Sequence, residues 1–173
     1  MTGIGIFGAA GRMGKAIKAE IETRGLTFVG GTEQAGRVME IEAGKEAANP
    51  DNLASVADVL IDFSTPAALR NNLDACIVAG KPVLIGTTGL EAEHHALIDR
   101  AAETIAVLQT GNTSLGVNLI AALVRDAASR LGPDWDIEIV EMHHRHKVDA
   151  PSGTALRLGE AAAVGLGRKL EEI

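Results

Sequence analysis

The sequence predicts an α/β protein: a Rossmann-type, doubly wound parallel sheet followed by the start of a smaller α+β region. Three observations lead there. Short aliphatic runs alternate with longer periodic segments from Gly3 onward, the pattern left by a parallel sheet and its crossover helices. A glycine-rich turn follows the first run directly. A Gly132-Pro133 break ends the last long helical segment before another extended run. The 173 residues suit one ordinary domain, or one domain with part of a second.

The strands are expected at residues 3–7, 27–32, 58–63, 82–85, 105–109 and 136–142. Most are nearly continuous apolar runs, as strands covered on both faces require. In the first helix Met13, Ile17 and Ile21 recur every four residues and form one buried stripe, with Lys18 and Glu22 paired on the solvent side. Thr65 followed by Pro66 reads as an N-cap with proline at the first helical position, and Ser114 caps the helix running to Leu131. Gly25, Gly80 and Gly132 fall just past helical segments, where left-handed chain ends favour glycine. Residues 34–52 are polar and irregular, a loop with some helix. The break at Gly132 sets one domain over 1–132 and the start of a second over 133–173.

Composition removes several classes of function. With 46% hydrophobic and 23% charged residues the chain builds a packed core, and with 2% aromatic residues that core is aliphatic. Sixteen Lys and Arg against twenty-three Asp and Glu give a net charge of -7, the wrong sign for a nucleic-acid surface. No apolar run reaches the ~18–20 residues of a membrane span, and no basic leader precedes the first strand, so a cytoplasmic protein is expected. The lone Cys76 lies in an apolar stretch and is expected to be buried packing, not a reactive thiol.

The first chemical signal is Gly8-Ala9-Ala10-Gly11-Arg12-Met13-Gly14, a G-x-x-G-x-x-G variant of the dinucleotide fingerprint between a strand and a helix. Glycine lets the backbone approach a pyrophosphate, and the free amides of the helix start face its charge. At the end of the second strand Glu33 can accept the ribose hydroxyls. Gln34 follows it and supplies no cation for a 2′-phosphate, which favours NADH over NADPH. Arg12 or Arg37 could still reach that phosphate, so use of both stays open. Two further strand ends carry small polar loops, Ser64-Thr65-Pro66 and Gly86-Thr87-Thr88-Gly89, suited either to a nicotinamide carboxamide or to plain turn capping.

The second signal is the basic run His143-His144-Arg145-His146-Lys147, followed by Val148-Asp149-Ala150-Pro151-Ser152-Gly153-Thr154-Ala155 and an apolar helix. Imidazole beside ammonium offers a proton near neutral pH, and the helix start at Ser152 can hold a carboxylate on its amides. A metal site through His143 and His146, or a solvated basic loop, are the competing readings. No Cys or obvious third ligand accompanies the pair. His94 and His95 sit on a polar helix face as bystanders.

These motifs together make the chain resemble the dihydrodipicolinate reductase family. Ile61-Asp62-Phe63, Asn112 and Ser114-Leu115-Gly116-Val117-Asn118 join the glycine turn, the Gly86 loop and the run from His143 to Ala155 in family order. The resemblance implies hydride transfer from NADH or NADPH to a cyclic dicarboxylate derived from 4-hydroxy-tetrahydrodipicolinate. The product is tetrahydrodipicolinate, on the diaminopimelate and lysine route. It implies that Gly8, Ala9, Ala10, Gly11, Arg12, Met13 and Glu33 hold the dinucleotide, and that Gly86, Thr87, Thr88, Thr110, Gly111, Asn112 and Thr113 border its nicotinamide. His143 matches the family's general acid and Lys147 its proton donor. His144, Gly153 and Thr154 match contacts to the substrate carboxylates. No metal is implied, and a homotetramer is expected of the full-length family. Gln34 stands where many relatives carry Arg, and Thr113 where many carry an aromatic ring. Family members continue for roughly a further hundred residues, so an N-terminal portion is expected here. A non-catalytic dinucleotide-binding module is the reading from another class.

Overall fold

The computed structural model describes residues 2–33, 49–143, 145 and 150–172. The chain forms two compact units, Met1–Gly111 and Asn112–Ile173. The first contains five parallel strands: β1 (Gly3–Phe7), β2 (Thr27–Thr32), β3 (Val59–Asp62), β4 (Val83–Ile85) and β5 (Val107–Gln109), in spatial order β2-β1-β3-β4-β5. Helices α1 (Arg12–Thr23), α2 (Pro50–Val56), α3 (Pro66–Ala79) and α4 (Ala92–Ala102) connect them.

Alternation along β1 explains how two layers of helix cover one sheet. Ile6 turns to one face, where it packs with Ala9 and Ile21 under α1. Phe7 turns to the other and joins Leu53, Leu60, Leu69, Cys76 and Ile85 beneath α2, α3 and α4. Both side chains are fully buried, so the strand is apolar throughout, as one covered on both faces must be. In α1 the expected stripe tightens toward its C-terminal end: Ile21 is buried, whereas Met13 is 43% exposed. Lys18 and Glu22 pair at 3.6 Å on the solvent side.

Chain punctuation follows the sequence. Pro66 opens α3 after Thr65, although the threonine hydroxyl makes no cap bond. Gly80 closes the helix in the left-handed region at φ 64°, where its amide reaches the carbonyls of Cys76 and Ile77. Helix α2 begins at Pro50, with the Asn49 side chain accepting from Asn52 N–H at 2.9 Å. Most of the irregular stretch before it lies outside the described residues.

The second unit holds α5 (Leu115–Leu131), α6 (Gly153–Gly165) and a 3-10 turn, Leu170–Glu172. Ser114 caps α5 as expected, accepting from Val117 N–H at 3.4 Å. α5 packs on α6 through small residues: a Cβ on Gly165 would sit 2.5 Å from the Arg125 carbonyl and 2.8 Å from Ala128 Cβ. This packing groups α5 with the second unit, whereas the Gly132-Pro133 break suggests a boundary after it. The break ends a helix without dividing the two units.

One expected strand is corrected. Residues 136–142 are neither helix nor strand, and Val140 and Met142 are 87% and 94% exposed. Their apolar alternation is strand-like, but a strand needs a neighbour to complete its ladder. The described residues of the second unit contain none.

Candidate functional site

In a sheet ordered β2-β1-β3-β4-β5 the connections leave β1 and β3 in opposite directions, so their carboxyl ends flank an open crevice, the customary ligand position in such folds. A cleft of about 350 Å³ lies there, lined by Gly8 and Gly11 after β1, Thr32 and Glu33 at the end of β2, and Phe63, Ser64 and Thr65 after β3.

The glycine turn contains three glycines with separate physical reasons. Gly8 has φ 80°, and a Cβ there would come within 2.5 Å of the Phe63 carbonyl oxygen. A Cβ on Gly14 would collide with the Gly8 carbonyl and Ala9, so this glycine lets α1 seat against the turn. Gly11 is different. Among the described residues its Cβ would meet only the Gly8 carbonyl oxygen, at 3.2 Å, and Gly11 lines the cleft. Gly11 is also the N-cap of α1, with no side-chain cap and no acidic residue in the first turn. The amides of Arg12, Met13 and Gly14 therefore have no acceptor among the described residues. This is the donor set that a phosphate group fits.

Glu33 closes that side of the cleft, its Oε1 accepting from Ala10 N–H at 2.6 Å. The carboxylate expected to meet a ribose is thus held by the turn expected to meet the phosphates. Arg12 is exposed beside the same turn.

Behind the cleft, Asp62 organises the ends of β3 and β4. Its side chain is 1% exposed and accepts from Ser64 N–H (2.8 Å), Ser64 Oγ (2.6 Å), Asn72 Nδ2 (2.9 Å) and Thr87 Oγ1 (3.0 Å). Thr87 is therefore buried with its hydroxyl turned to Asp62, whereas Thr88 is exposed. Gly86 must lack a side chain because a Cβ would strike the Phe63 ring. Thr110 follows β5, its amide donating to the Ile85 carbonyl at 2.9 Å. Cys76 lies under this cluster, and burial, followed by the nearby Asp62 charge, pushes its thiol up to about 12. The expected inert, packed cysteine is what the fold contains.

In the second unit the start of α6 is the focus. Ser152 is its N-cap, and its Oγ accepts from Ala155 N–H at 3.0 Å. Glu141 reaches back to it, with Oε1 accepting from Ser152 N–H at 2.7 Å and Oε2 from the Ser152 hydroxyl. His143 Nδ1 lies 3.4 Å from the same Oε2. Gly153 and Thr154 N–H have no acceptor among the described residues, which leaves two donors at the helix end. Asn112 Nδ2 donates to Thr154 Oγ1 at 3.4 Å, and Asn112 Oδ1 accepts from Ser114 N–H at 2.8 Å. A residue expected to border the nicotinamide thus touches one expected to bind substrate. Gly111 and Thr113 flank Asn112 and are exposed.

His144, His146 and Lys147 lie outside the described residues, as do Gln34 and Arg37. Among the described residues no three His, Cys, Asp or Glu side chains gather as metal ligands, and no helix is long and apolar enough to cross a membrane. His94 has a structural role: it faces Glu91 in a capping box, Nδ1 accepting from Glu91 N–H at 3.0 Å. Sequence reasoning missed Asp62 and Asn72 as a buried hub, and Glu141 as the partner of Ser152.

Residues 2–113 match the family described as dihydrodipicolinate reductase, N-terminus, and residues 116–173 match dihydrodipicolinate reductase, C-terminus. A 4-hydroxy-tetrahydrodipicolinate reductase of Zymomonas mobilis subsp. mobilis is 56% identical over 170 residues, covering 98% of this chain and 65% of that protein. One from Parvibaculum lavamentivorans is 50% identical over 181 residues, covering 97% of this chain and 67% of its own length. Among solved structures, a dipicolinate-bound dihydrodipicolinate reductase from Paenisporosarcina sp. TG-14 aligns with a TM-score of 0.71 and 26% identity, over 95% of this chain and 66% of that one. The chain spans about two thirds of the length of these relatives. With both halves matched and the glycine turn, the Asp62 cluster and the start of α6 in place, the chain belongs to the dihydrodipicolinate reductase family.

Proposed function

We propose that this chain carries the nucleotide-binding and proton-supplying parts of a 4-hydroxy-tetrahydrodipicolinate reductase, taking hydride from NADH or NADPH to a small cyclic dicarboxylate and giving tetrahydrodipicolinate. The observation that carries the reading is the uncapped start of α1, with Gly11 lining the switch-point cleft. The bound nicotinamide supplies the hydride. This chain's residues do the rest. The amides of Arg12 and Met13 bind the pyrophosphate, Glu33 exchanges Ala10 N–H for the ribose hydroxyls, and Gly86, Thr88 and Thr110 border the nicotinamide. In the second unit Gly153, Thr154 and His144 hold a substrate carboxylate, while His143 and Lys147 supply protons.

NADH is the preferred cofactor in this reading, because Gln34 adds no cation beside Glu33 for a 2′-phosphate. A homotetramer in the cytoplasm is the expected setting of the complete protein. The reading is tested by following NADH absorbance with freshly generated substrate, for this chain and for the chain extended to the length of its relatives. Substrate-dependent oxidation by the extended chain is expected. NADH binding without oxidation in both forms would leave a dinucleotide-binding module and end the reductase reading.

A further inference from the structure

We infer that Glu141 is a positioning residue that fixes the His143 ring and the start of α6 with one carboxylate; the consequence for turnover rests on the reductase reading above. The geometry divides the labour between its two oxygens. Oε1 takes the Ser152 amide, and Oε2 takes the Ser152 hydroxyl proton while lying 3.4 Å from His143 Nδ1. Because Ser152 gives its hydroxyl proton to Glu141, its oxygen lone pairs point to Ala155 N–H and cap the helix. A negative carboxylate at a helix N-terminus is also favoured by the helix dipole.

Two consequences follow for the chemistry. Of the described amides at the start of α6 Glu141 takes that of Ser152, so the next two, on Gly153 and Thr154, stay available to an incoming carboxylate. With Oε2 3.4 Å from Nδ1, the ring favours its proton on Nδ1, which leaves Nε2 for the substrate. When a charged His143 acts as an acid, the N–H bond at Nε2 breaks, the new bond to that proton forms on the substrate, and the electron pair stays on Nε2. The neutral ring that remains is the Nδ1–H form, which the Glu141 carboxylate stabilises.

Glu141→Gln separates this role from simple capping. The amide oxygen still accepts Ser152 N–H, so the start of α6 is kept, but the amide nitrogen turns a donor toward His143 and favours the opposite tautomer. The test is ¹⁵N NMR of the neutral His143 ring in the full chain, assigned by loss of the signal in His143→Gln. The wild type is expected as the Nδ1–H form and Glu141→Gln as the Nε2–H form, with the Ala155 and Leu156 amide signals little changed. In the extended chain kcat should fall about 10- to 100-fold with KM for NADH unchanged, at or below the lower end of the ~10²–10⁴-fold that a placed general acid contributes. Glu141→Ala should lose the helix start as well, and Glu141→Asp should restore the tautomer in part. A wild-type ring in the Nε2–H form, or a Glu141→Gln variant with unchanged ring signals, overturns the proposal. The ring signal decides it whether or not NADH is consumed, so failure of the reductase reading is seen separately.

Discussion

Replacing Asp62 tests whether the ends of β3 and β4 are built around one buried carboxylate. In Asp62→Ala four donors lose their acceptor, and two of them, on Asn72 and Thr87, are only 4% and 6% exposed. Each retains a weaker contact: Asn72 Nδ2 to Ser64 Oγ at 3.1 Å, and Thr87 Oγ1 to the Asp62 carbonyl at 3.4 Å. The cost of each is therefore set at the low end of the ~1–3 kcal/mol for an unsatisfied buried group. With the space left behind, the total is about 3 kcal/mol, a large share of a typical domain's ~5–15 kcal/mol. Asp62→Asn keeps the volume and one accepting oxygen but sets an NH₂ against a donor, for about 1–2 kcal/mol. Urea unfolding followed by circular dichroism measures both, with the m value showing whether the unfolded state has changed. A loss under about 0.5 kcal/mol in Asp62→Ala would refute the hub, because that is the range of ordinary surface substitutions.

Three further outcomes are expected. Gly11→Ala should cost no more than about 1 kcal/mol of stability but weaken NADH at least ~10-fold by calorimetry, because Gly11 lines the cleft; Gly14→Ala should destabilise the fold itself. His143→Ala and Lys147→Ala in the extended chain should each lower kcat by roughly 10²-fold or more with NADH affinity unchanged, and wild-type rates in both would remove proton delivery from this loop. Native Cys76 should resist alkylation at pH 8 while the urea-unfolded chain labels. Because its folded value of about 12 exceeds the ordinary 9.0, the unfolded chain gives up its proton first, so this contribution to stability is whole below pH 9 and is lost as pH rises toward 12. Urea melts of wild type and Cys76→Ala across that window check the sign: the variant should lack this part of the decline.

The features legible in the sequence are those that local geometry dictates. β1 and β2 match residues 3–7 and 27–32 because apolar runs bounded by Gly8 and Glu33 leave little choice of ends. Strands at 58–63, 82–85 and 105–109 shorten to Val59–Asp62, Val83–Ile85 and Val107–Gln109, since Asp58, Phe63, Pro82, Ile105 and Ala106 lie beyond the paired register with the neighbouring strands. The extended run at 136–142 is the same error carried further: its pattern reports a tendency to pair, and pairing needs a partner. Likewise Gly132-Pro133 marks where α5 must stop, and nothing local says that α5 packs on α6.

The site divides along the same line. Gly8, Gly11 and Gly14 could be read because a missing Cβ is a property of the residue itself, and spacing alone places it in a strand-to-helix turn. Asp62 and Glu141 could not, because each acts through a residue distant in sequence: Asn72 ten positions on, Ser152 eleven. A signal was present in one case. An aspartate closing a buried apolar strand is costly unless donors surround it, so Val59-Leu60-Ile61-Asp62 followed by Ser64 announced a satisfied carboxylate, though not its partners. Glu141 carried no such signal: in a period-two reading it shares a face with Ile137 and Ile139, but an acid on a strand without a known neighbour names no partner. Its role emerges only when that strand is absent and the chain returns its carboxylate to the start of α6.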